Sequence, residues 1–538
     1  MVQYGIVTYR QNQAGIARMI LPKESERESP GVAGYIRAMT AKVLTALVSC
    51  AGKANCREAA QYIRDFRLWT SSVAYGLTVE IYAVNGRFPF DFLQTFSSPA
   101  FENAFWKKPD CGFYSGGERK MIDLGLKITR GDAMMLYATS HGSYTIRLHL
   151  RLDQRIDGQK LRIALDKTAR RYPFFCVTLK RNEREFYYEV NNRPVVLLNT
   201  NKAVTLGAPE TNGHIWSVCY DQENLYIDFF HGRSDGTGAY ALTATLLYYY
   251  YDEQEIPGIK TLDTPVSDCE THDPVGDLPL LDLSKVNFQA SPKALNLMET
   301  SSLEHVNGKG LILKLMIPEN SFLPFTQLND GTPGIMLSVL IARAIERVHP
   351  EHEEPLVNNY VVNARPMLKA EDTFHNCTNR VVFHYDDRIR QMPLERQCTV
   401  YRGKTFIQAD EETILQGMTV AGSMAQMILD IPDFSTKAAV ARNAIEGTYN
   451  AVTYIVSYVG RWKYPQLGHH IREFWTETPV EPFPLIEVAA VNENIFVSFL
   501  QPFTDRRYYD ALLDELKENG IEYVECGSAP VCVADIKY

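Results

Sequence analysis

The sequence predicts a mixed α/β (α+β) protein of two lobes, each with a largely antiparallel sheet packed with helices, preceded by an N-terminal extension. Hairpin patterns and apolar helical stripes occur on both sides of a long polar stretch. Strands and helices do not alternate regularly, which disfavours a doubly wound parallel sheet. The predicted divisions are an extension of unknown role at 1–118, a first lobe at 119–252, a crossover linker at 253–308 and a second lobe at 309–538.

Composition excludes several classes of protein. The 538 residues are 45% hydrophobic and 22% charged, which is typical of a globular protein with a sizeable core. The net charge of -9 argues against nucleic-acid binding, which needs a basic face. The ten cysteines include no CxxC pair, so we predict no zinc site, no disulfide framework and reduced thiols in a cytoplasmic protein. No apolar run is long enough to predict a transmembrane segment.

The N-terminal extension carries the weakest signals. Amphipathic helices are predicted at 33–51 and 57–69, and an aromatic-rich loop at 88–111. No chemistry is assigned to this part of the chain.

The first lobe is predicted to open with a strand and a capped helix. Residues 145–152 alternate strictly between apolar and polar, which predicts a half-buried strand with His149 towards solvent. Asp157 is the predicted cap of a helix that ends at Pro173. Four residues of this helix are expected to face inward: Leu161, Ala164, Leu165 and Thr168. The remaining predicted elements are strands at 174–180, 185–190, 213–220 and 225–230 and a helix at 239–250.

The second lobe shows the same mixture of elements. A helix is predicted to begin at Pro333 with Thr332 as its cap. Its other predicted elements are strands at 311–317, 356–363, 379–385, 484–491, 494–501 and 521–525 and helices at 405–429 and 505–519.

One stretch carries chemistry: His231-Gly232-Arg233-Ser234-Asp235-Gly236. It follows a predicted strand and opens a predicted helix, so His231 is held on a turn between two rigid elements. Histidine is suited to proton transfer because its ordinary pKa lies near neutral pH. The alternative is a surface histidine in a turn whose Asp235 merely caps the helix.

This stretch resembles the HxxxDG motif of the chloramphenicol acetyltransferase-like acyltransferases. That superfamily includes peptide-synthetase condensation domains, plant BAHD acyltransferases, alcohol acetyltransferases and mycobacterial polyketide-associated acyltransferases. Condensation domains usually carry a second histidine before the catalytic one, whereas this chain has Phe230, so it resembles the free-standing acyltransferases more. The resemblance covers about residues 119–538 and implies the two-lobed chloramphenicol acetyltransferase-like fold.

The resemblance implies an activity. An acyl group would pass from an acyl-CoA or an acyl-carrier-protein thioester directly to the hydroxyl or amine of a small acceptor. His231 would be the general base, with no acyl-enzyme and no permanently bound cofactor, and the absence of a Gly-x-Ser-x-Gly elbow is consistent with this.

The resemblance also assigns roles to other residues. Asp235 would form an ion pair with Arg365, in a stretch, Asn363-Ala364-Arg365, that resembles the family's strand-end motif. Gly236 would allow close backbone approach at the turn. Ser457 is the candidate oxyanion donor, because Ser457-Tyr458-Val459-Gly460 resembles the Ser-Asn-x-Gly turn of relatives.

Three functions remain open from the sequence. The first is an O- or N-acyltransferase, the second a free-standing condensation domain that joins carrier-bound substrates, and the third a catalytically silent scaffold. The pair His469-His470 has no carboxylate or cysteine at ligand spacing, so we predict a solvated turn and no metal site. For a transferase, the expectation is a channel between the lobes with His231 near its middle.

Overall fold

The computed structural model divides the chain into two compact units, Met1–Gly116 and Gly117–Tyr538. In the first unit it describes an antiparallel sheet of three strands, β1 (Tyr4–Arg10), β2 (Ile16–Pro22) and β3 (Thr78–Tyr82). In the second unit it describes residues 124–139, 143–253, 256–288, 293–301, 303–306 and 308–538. The predicted helices at 33–51 and 57–69 and the loop at 88–111 lie outside the described residues.

A five-stranded sheet forms the centre of the first lobe. Its strands are β4 (Thr145–Leu152), β7 (Leu197–Asn199), β8 (Trp216–Asp221), β9 (Asn224–Phe230) and β14 (Ile471–Glu477). They lie in the order β14-β4-β9-β8-β7, antiparallel except for the last pair. A separate hairpin consists of β5 (Val177–Arg181) and β6 (Phe186–Val190).

A seven-stranded sheet forms the centre of the second lobe. Its strands are β10 (Leu311–Pro318), β11 (Leu356–Asn363), β12 (Thr378–Tyr385), β13 (Tyr454–Arg461), β15 (Leu485–Val491), β16 (Asn494–Gln501) and β17 (Val524–Pro530). The order is β12-β11-β13-β15-β16-β10-β17, and only β13 runs parallel to its neighbours. The mixed, two-lobed fold class predicted from the sequence is confirmed.

The helices of the second unit differ widely in length, from four residues to twenty. In the first half of the chain they are α1 (Arg130–Ala138), α2 (Gly158–Arg171), α3 (Gly236–Tyr251), α4 (Asp268–Thr271), α5 (Leu297–Ser301), α6 (Glu319–Leu328) and α7 (Pro333–Val348). The later ones are α8 (Arg365–Leu368), α9 (Asp387–Arg390), α10 (Leu394–Gln408), α11 (Glu411–Asp430), α12 (Phe434–Glu446), α13 (Pro465–Gly468) and α14 (Arg507–Glu518).

The helix α2 shows how local sequence determines an element. Asp157 caps it by accepting hydrogen bonds from the backbone N–H groups of Gln159 at 2.8 Å and Lys160 at 3.1 Å. The four residues predicted to face inward are all buried: Leu161, Ala164, Leu165 and Thr168. Their spacing places one continuous stripe against α3 and the apolar core of the first lobe.

Strand β14 belongs to the first lobe's sheet although it lies far into the second half of the chain. It pairs with β4 from Ile471↔Leu152 to Glu477↔Arg147. Near the C terminus, Leu206 and Ile536 also form a bridge between the two halves of the chain. The lobes therefore exchange chain segments, and the predicted boundary at residue 309 does not separate every strand. The domain boundaries themselves stay predictions.

The single helix predicted at 405–429 is wrong. The structure has two helices, α10 and α11, with Asp410 between them in an extended conformation. Asp410 caps the second helix by accepting from the N–H groups of Glu412 and Thr413. A short polar side chain that can bond locally to backbone N–H groups competes with helix continuation, and here it ends one helix and starts the next. Helix α12 was not predicted.

The prediction that His149 faces solvent is also wrong. Strand β4 is central in its sheet and buried along almost its whole length, so both faces are covered. The His149 ring contacts Asn224 at 3.0 Å and Lys314 at 3.3 Å. Burial, together with the charge of Lys314, lowers the pKa of His149 to about 3, so the ring is neutral.

Two expectations concern covalent links and membranes. Cys269 is disulfide-bonded, so the expectation that the thiols are all reduced is wrong for this residue. Its local sequence carries no pairing signal, because disulfide partners are chosen by the fold. Within the described residues, no helix combines the length and apolar character that a bilayer crossing requires.

Candidate active site

The turn after β9 holds His231 as the sequence predicts, between the end of a strand at Phe230 and the start of α3 at Gly236. The backbone N–H of His231 donates to the carbonyl oxygen of Tyr144 at 2.8 Å. The side-chain amide of Asn376, from the other lobe, donates to the His231 carbonyl at 2.8 Å. The main chain at this residue is therefore fixed from both lobes.

Hydrogen bonding determines the tautomer of the half-buried His231 ring. Its Nδ1 lies 3.0 Å from the carbonyl oxygen of Ser234. A carbonyl oxygen can only accept, so Nδ1 carries the hydrogen of the neutral ring. The lone pair is then on Nε2, which is the arrangement a general base needs.

Asp235 does not orient the histidine; it joins the two lobes. Its carboxylate forms a bidentate ion pair with Arg365, with both N–O distances at 2.8 Å. It also caps α3 by accepting from the N–H groups of Thr237 and Gly238. Both side chains of the pair are almost completely buried, at 3% and 1% exposure. The ion pair that the sequence analysis proposed between these two residues is present.

Arg365 has no spare hydrogen-bonding capacity in this arrangement. Its remaining donors reach the carbonyl oxygens of Thr373 at 3.1 Å and His375 at 2.7 Å, and Asn363 accepts at 3.4 Å. Burial opposes its charge, but the adjacent Asp235 outweighs burial and the pKa of Arg365 is raised. Arg365 is thus a permanent cation that fixes the segment after β11 against the turn.

Further contacts hold the turn between the lobes. On one side, the Ser234 hydroxyl donates to the Phe374 carbonyl at 2.6 Å, and the Cys377 N–H donates to Asp235 at 3.0 Å. On the other side, the buried guanidinium of Arg233 donates to the carbonyls of Gly125 and Phe174. Arg233, which has the largest side chain between His231 and Asp235, thus anchors the turn within its own lobe.

Gly236 lies at a close approach between the lobes. A Cβ atom at this position would lie 3.0 Å from a methyl carbon of Val459 in β13. Gly238, two residues further along the chain, tolerates a side chain even less. A Cβ atom there would lie 3.0 Å from the Phe374 carbonyl oxygen and 2.2 Å from the Ser234 hydroxyl. The absence of side chains lets the start of α3 approach the second lobe.

His231 borders a cavity of about 540 Å³ that both lobes line. This agrees with the expected channel. The first-lobe lining includes Ile146, Leu148, His231 and Tyr240, and the lining numbered above 308 includes Val361, Ser457, Thr476 and Glu487. The wall is largely apolar, which suits a site from which bulk water is excluded.

Ser457 lines the cavity, but the predicted turn around it is wrong. The four residues from Ser457 to Gly460 lie within strand β13, where Ser457 is in register with Val361 on one side and Glu487 on the other. The run extends as a strand because β11 and β15 supply hydrogen-bonding partners along both of its edges. The Ser457 hydroxyl hydrogen-bonds to Glu487.

Glu487 is a functional candidate that the sequence analysis missed. It is the one charged residue in the otherwise apolar strand Leu485–Val491, and that interruption is the signal that could have identified it. Burial disfavours its carboxylate and raises its pKa to about 7, and the hydrogen bond from Ser457 partly opposes this. The hydroxyl of Tyr240 is close enough to sense its charge.

The pair His469-His470 does have carboxylates nearby, contrary to the interpretation of the sequence. His470 contacts Asp153 at 2.7 Å and Glu253 at 3.1 Å, and it stacks on Tyr251. The potential ligand atoms of Glu253, His469 and His470 lie within 4.8 Å of one another. Spacing along the chain could not show this, because the carboxylates come from distant residues.

Comparison with known proteins yields matches among solved structures. No protein-family model matches the chain, and no curated protein matches it. Polyketide synthase associated protein 5 from Mycobacterium tuberculosis is 10% identical over 72% of this chain and 96% of its own, with a TM-score of 0.47. TRI101 from F. graminearum, solved with coenzyme A and T-2 mycotoxin, is 11% identical over 72% and 98%, with a TM-score of 0.47.

A third match is a condensation domain for chain release from the enacyloxin polyketide synthase. It is 12% identical over 82% of this chain and 92% of its own, with a TM-score of 0.41. The chain is thus similar, at 10–12% identity, to these three solved structures.

Replacing Asp235 by Asn tests the inter-lobe ion pair. The change leaves the Arg365 charge buried and uncompensated, so we expect the free energy of unfolding to fall by about 3–5 kcal/mol. Chemical denaturation measures this. The matched control is Asp166→Asn, which breaks an exposed pair with Arg162 and should cost at most about 1 kcal/mol. Equal effects of the two changes would contradict a dominant role for the buried pair.

Replacing Glu487 by Gln tests its raised pKa. An unfolded chain loses this proton near the ordinary value of 4.5, whereas the folded protein keeps it to about 7, so ionisation destabilises the fold as pH rises between these values. We expect the variant to gain about 1–3 kcal/mol relative to the parent between about pH 5 and about pH 8. The control Glu493→Gln, in the exposed turn of the same hairpin, should show no such gain. A constant difference across this range would refute the shift.

Proposed function

We propose that this protein is an acyltransferase that moves an acyl group from a thioester to a hydroxyl or amine acceptor, with His231 as general base. One observation carries the proposal: the hydrogen bond from Nδ1 to Ser234 leaves a basic Nε2 on a residue that borders a cavity between two lobes. A surface histidine in a capped turn would have neither the fixed tautomer nor the cavity.

The reaction needs one proton carrier and no covalent intermediate. The acceptor's lone pair attacks the thioester carbonyl carbon while its proton passes to Nε2 of His231. The tetrahedral intermediate collapses, the C–S bond breaks, and the leaving thiolate takes the proton from Nε2. An ester or amide and a free thiol are formed, and His231 returns to its starting state. No cysteine is among the described residues that line the cavity, which is consistent with direct transfer.

Other residues support this chemistry without touching the reacting atoms. Asp235 and Arg365 are positioning residues, because they join the lobes at the turn that carries His231. Gly236 is assigned the same role through its close approach to Val459. Ser457 as oxyanion donor stays a prediction, since its hydroxyl hydrogen-bonds to the Glu487 side chain.

The donor is proposed to be an acyl-CoA or an acyl carrier protein. A panel of acyl-CoA thioesters with small alcohols and amines, followed by thiol release, tests the proposal. Acceptor-dependent thiol release supports the transferase. Turnover that requires carrier-bound substrates on both sides identifies the condensation-domain alternative. No release from either kind of donor, with an intact fold, leaves the scaffold alternative.

Replacing His231 by Ala tests its role. Loss of a general base lowers turnover by at least about a hundredfold, while circular dichroism and the unfolding midpoint should show an intact fold. The control is His272→Ala, at an exposed histidine whose partner is Asp277, and it should retain full turnover. Near-parental transfer by folded His231→Ala would rule out the mechanism.

A further inference from the structure

The cavity contains more negative than positive charge. Three glutamates line it, Glu446, Glu481 and Glu487, and Arg442 is the one lysine or arginine among the described residues that line it. Arg442 already pairs with Glu446 at 2.7 Å. The charge of Asp235 is balanced outside the cavity by Arg365. The carboxyl groups of Glu481 and Glu487 therefore have no cationic partner among these lining residues, and a bound cation could supply one.

The two remaining glutamates meet hydroxyl groups and no described cationic side chain. Glu481 accepts from the hydroxyl of Tyr449, and Glu487 accepts from Ser457. Burial raises the pKa of both carboxyl groups, and Glu446 adds to this at Glu481. Keeping unpaired carboxyl groups in a largely apolar cavity costs stability, and such a cost is common where a ligand supplies the missing charge.

Glu487 and His231 line the same cavity from different structural elements. Gly236, at the end of the turn that carries His231, approaches Val459, which lies at a bulge of β13 two residues beyond Ser457. Ser457 and Glu487 are adjacent in register on neighbouring strands, which lie about 4.8 Å apart. A molecule that contacts both His231 and Glu487 must therefore extend along the cavity.

We propose that the acceptor is a two-ended molecule, a diamine or an amino alcohol with an apolar spacer, whose protonated amine binds Glu487 while its other end is acylated at His231. This inference rests on the proposed function for the acylated end. The apolar part of the cavity wall, which includes Ile146 and Leu148, accommodates the spacer. The Ser457 hydroxyl then supports the carboxylate that holds the acceptor. Glu487 is a specificity-determining residue in this arrangement.

Calorimetric titration with 6-amino-1-hexanol and with 1-hexanol tests the proposal independently of turnover. The two probes have the same six-carbon chain and the same hydroxyl, and they differ only in the protonated amine that Glu487 would bind. We expect 6-amino-1-hexanol to bind at least about tenfold more tightly, a ratio equivalent to 1.4 kcal/mol. Glu487→Gln should abolish that preference, and Glu493→Gln should retain it. Equal binding of the two probes, or a preference that survives in Glu487→Gln, overturns the proposal.

Thiol release from acetyl-CoA with hexamethylenediamine and with hexylamine separates this inference from the proposed function. We expect Glu487→Gln to raise KM for hexamethylenediamine at least about tenfold with little change in kcat. The variant should leave kcat/KM for hexylamine unchanged, because the one amine of hexylamine must lie at His231 to react. Equal turnover of both amines by parent and variant overturns the inference and leaves the acyltransferase intact. Selective binding of 6-amino-1-hexanol over 1-hexanol without thiol release from any donor supports a cation site and refutes the transferase.

Discussion

The buried ion pair between Asp235 and Arg365 is the interaction on which the arrangement of the candidate site depends. Asp235 uses its two oxygens for five hydrogen bonds: two to Arg365, two to the start of α3 and one to the Cys377 N–H. The Asp235 carboxylate thus fixes the start of α3, Arg365 after the end of β11, and Cys377 just before β12. Because both partners are buried, neither charge can be removed without leaving the other uncompensated.

This pair determines what the neighbouring histidine can do. The turn from His231 to Asp235 is short, so fixing Asp235 also fixes the Ser234 carbonyl that accepts from His231 Nδ1. The tautomer of the base therefore follows from backbone geometry, and no third side chain is needed to orient the ring. In the Ser-His-Asp arrangement, by contrast, a carboxylate contacts the histidine directly. Here the Asp235 carboxylate acts on the histidine indirectly, by fixing the backbone at Ser234.

The cavity combines this rigid base with an apolar wall and a small number of acidic groups. Such a combination has a stability cost, because a carboxyl group in the middle of β15 is disfavoured by burial when it ionises. Leu485 and Ala489, which share the face of β15 on which Glu487 lies, are both apolar. A role in binding therefore explains Glu487 at this position better than a role in packing.

The sequence by itself determined the local framework of the protein. Alternation and helical spacing predicted strand β4 and helix α2, and the motif placed His231 between a strand and a helix whose cap is Asp235. These features depend on residues close together in the chain, where periodicity and capping chemistry are informative. The pairing of Asp235 with Arg365 was accessible only through a family resemblance.

The tertiary structure alone decided which surfaces are covered and which distant groups meet. The His149 ring is largely covered because it contacts Asn224 on the neighbouring strand β9 and Lys314 on β10. Ser457 lies in a strand because β11 and β15 pair with it. Glu487 borders the cavity because β15 lies beside β13, and His470 meets Asp153 and Glu253 because β14 crosses to the other lobe. Each of these contacts joins residues far apart in sequence, and local pattern carries no information about such pairings.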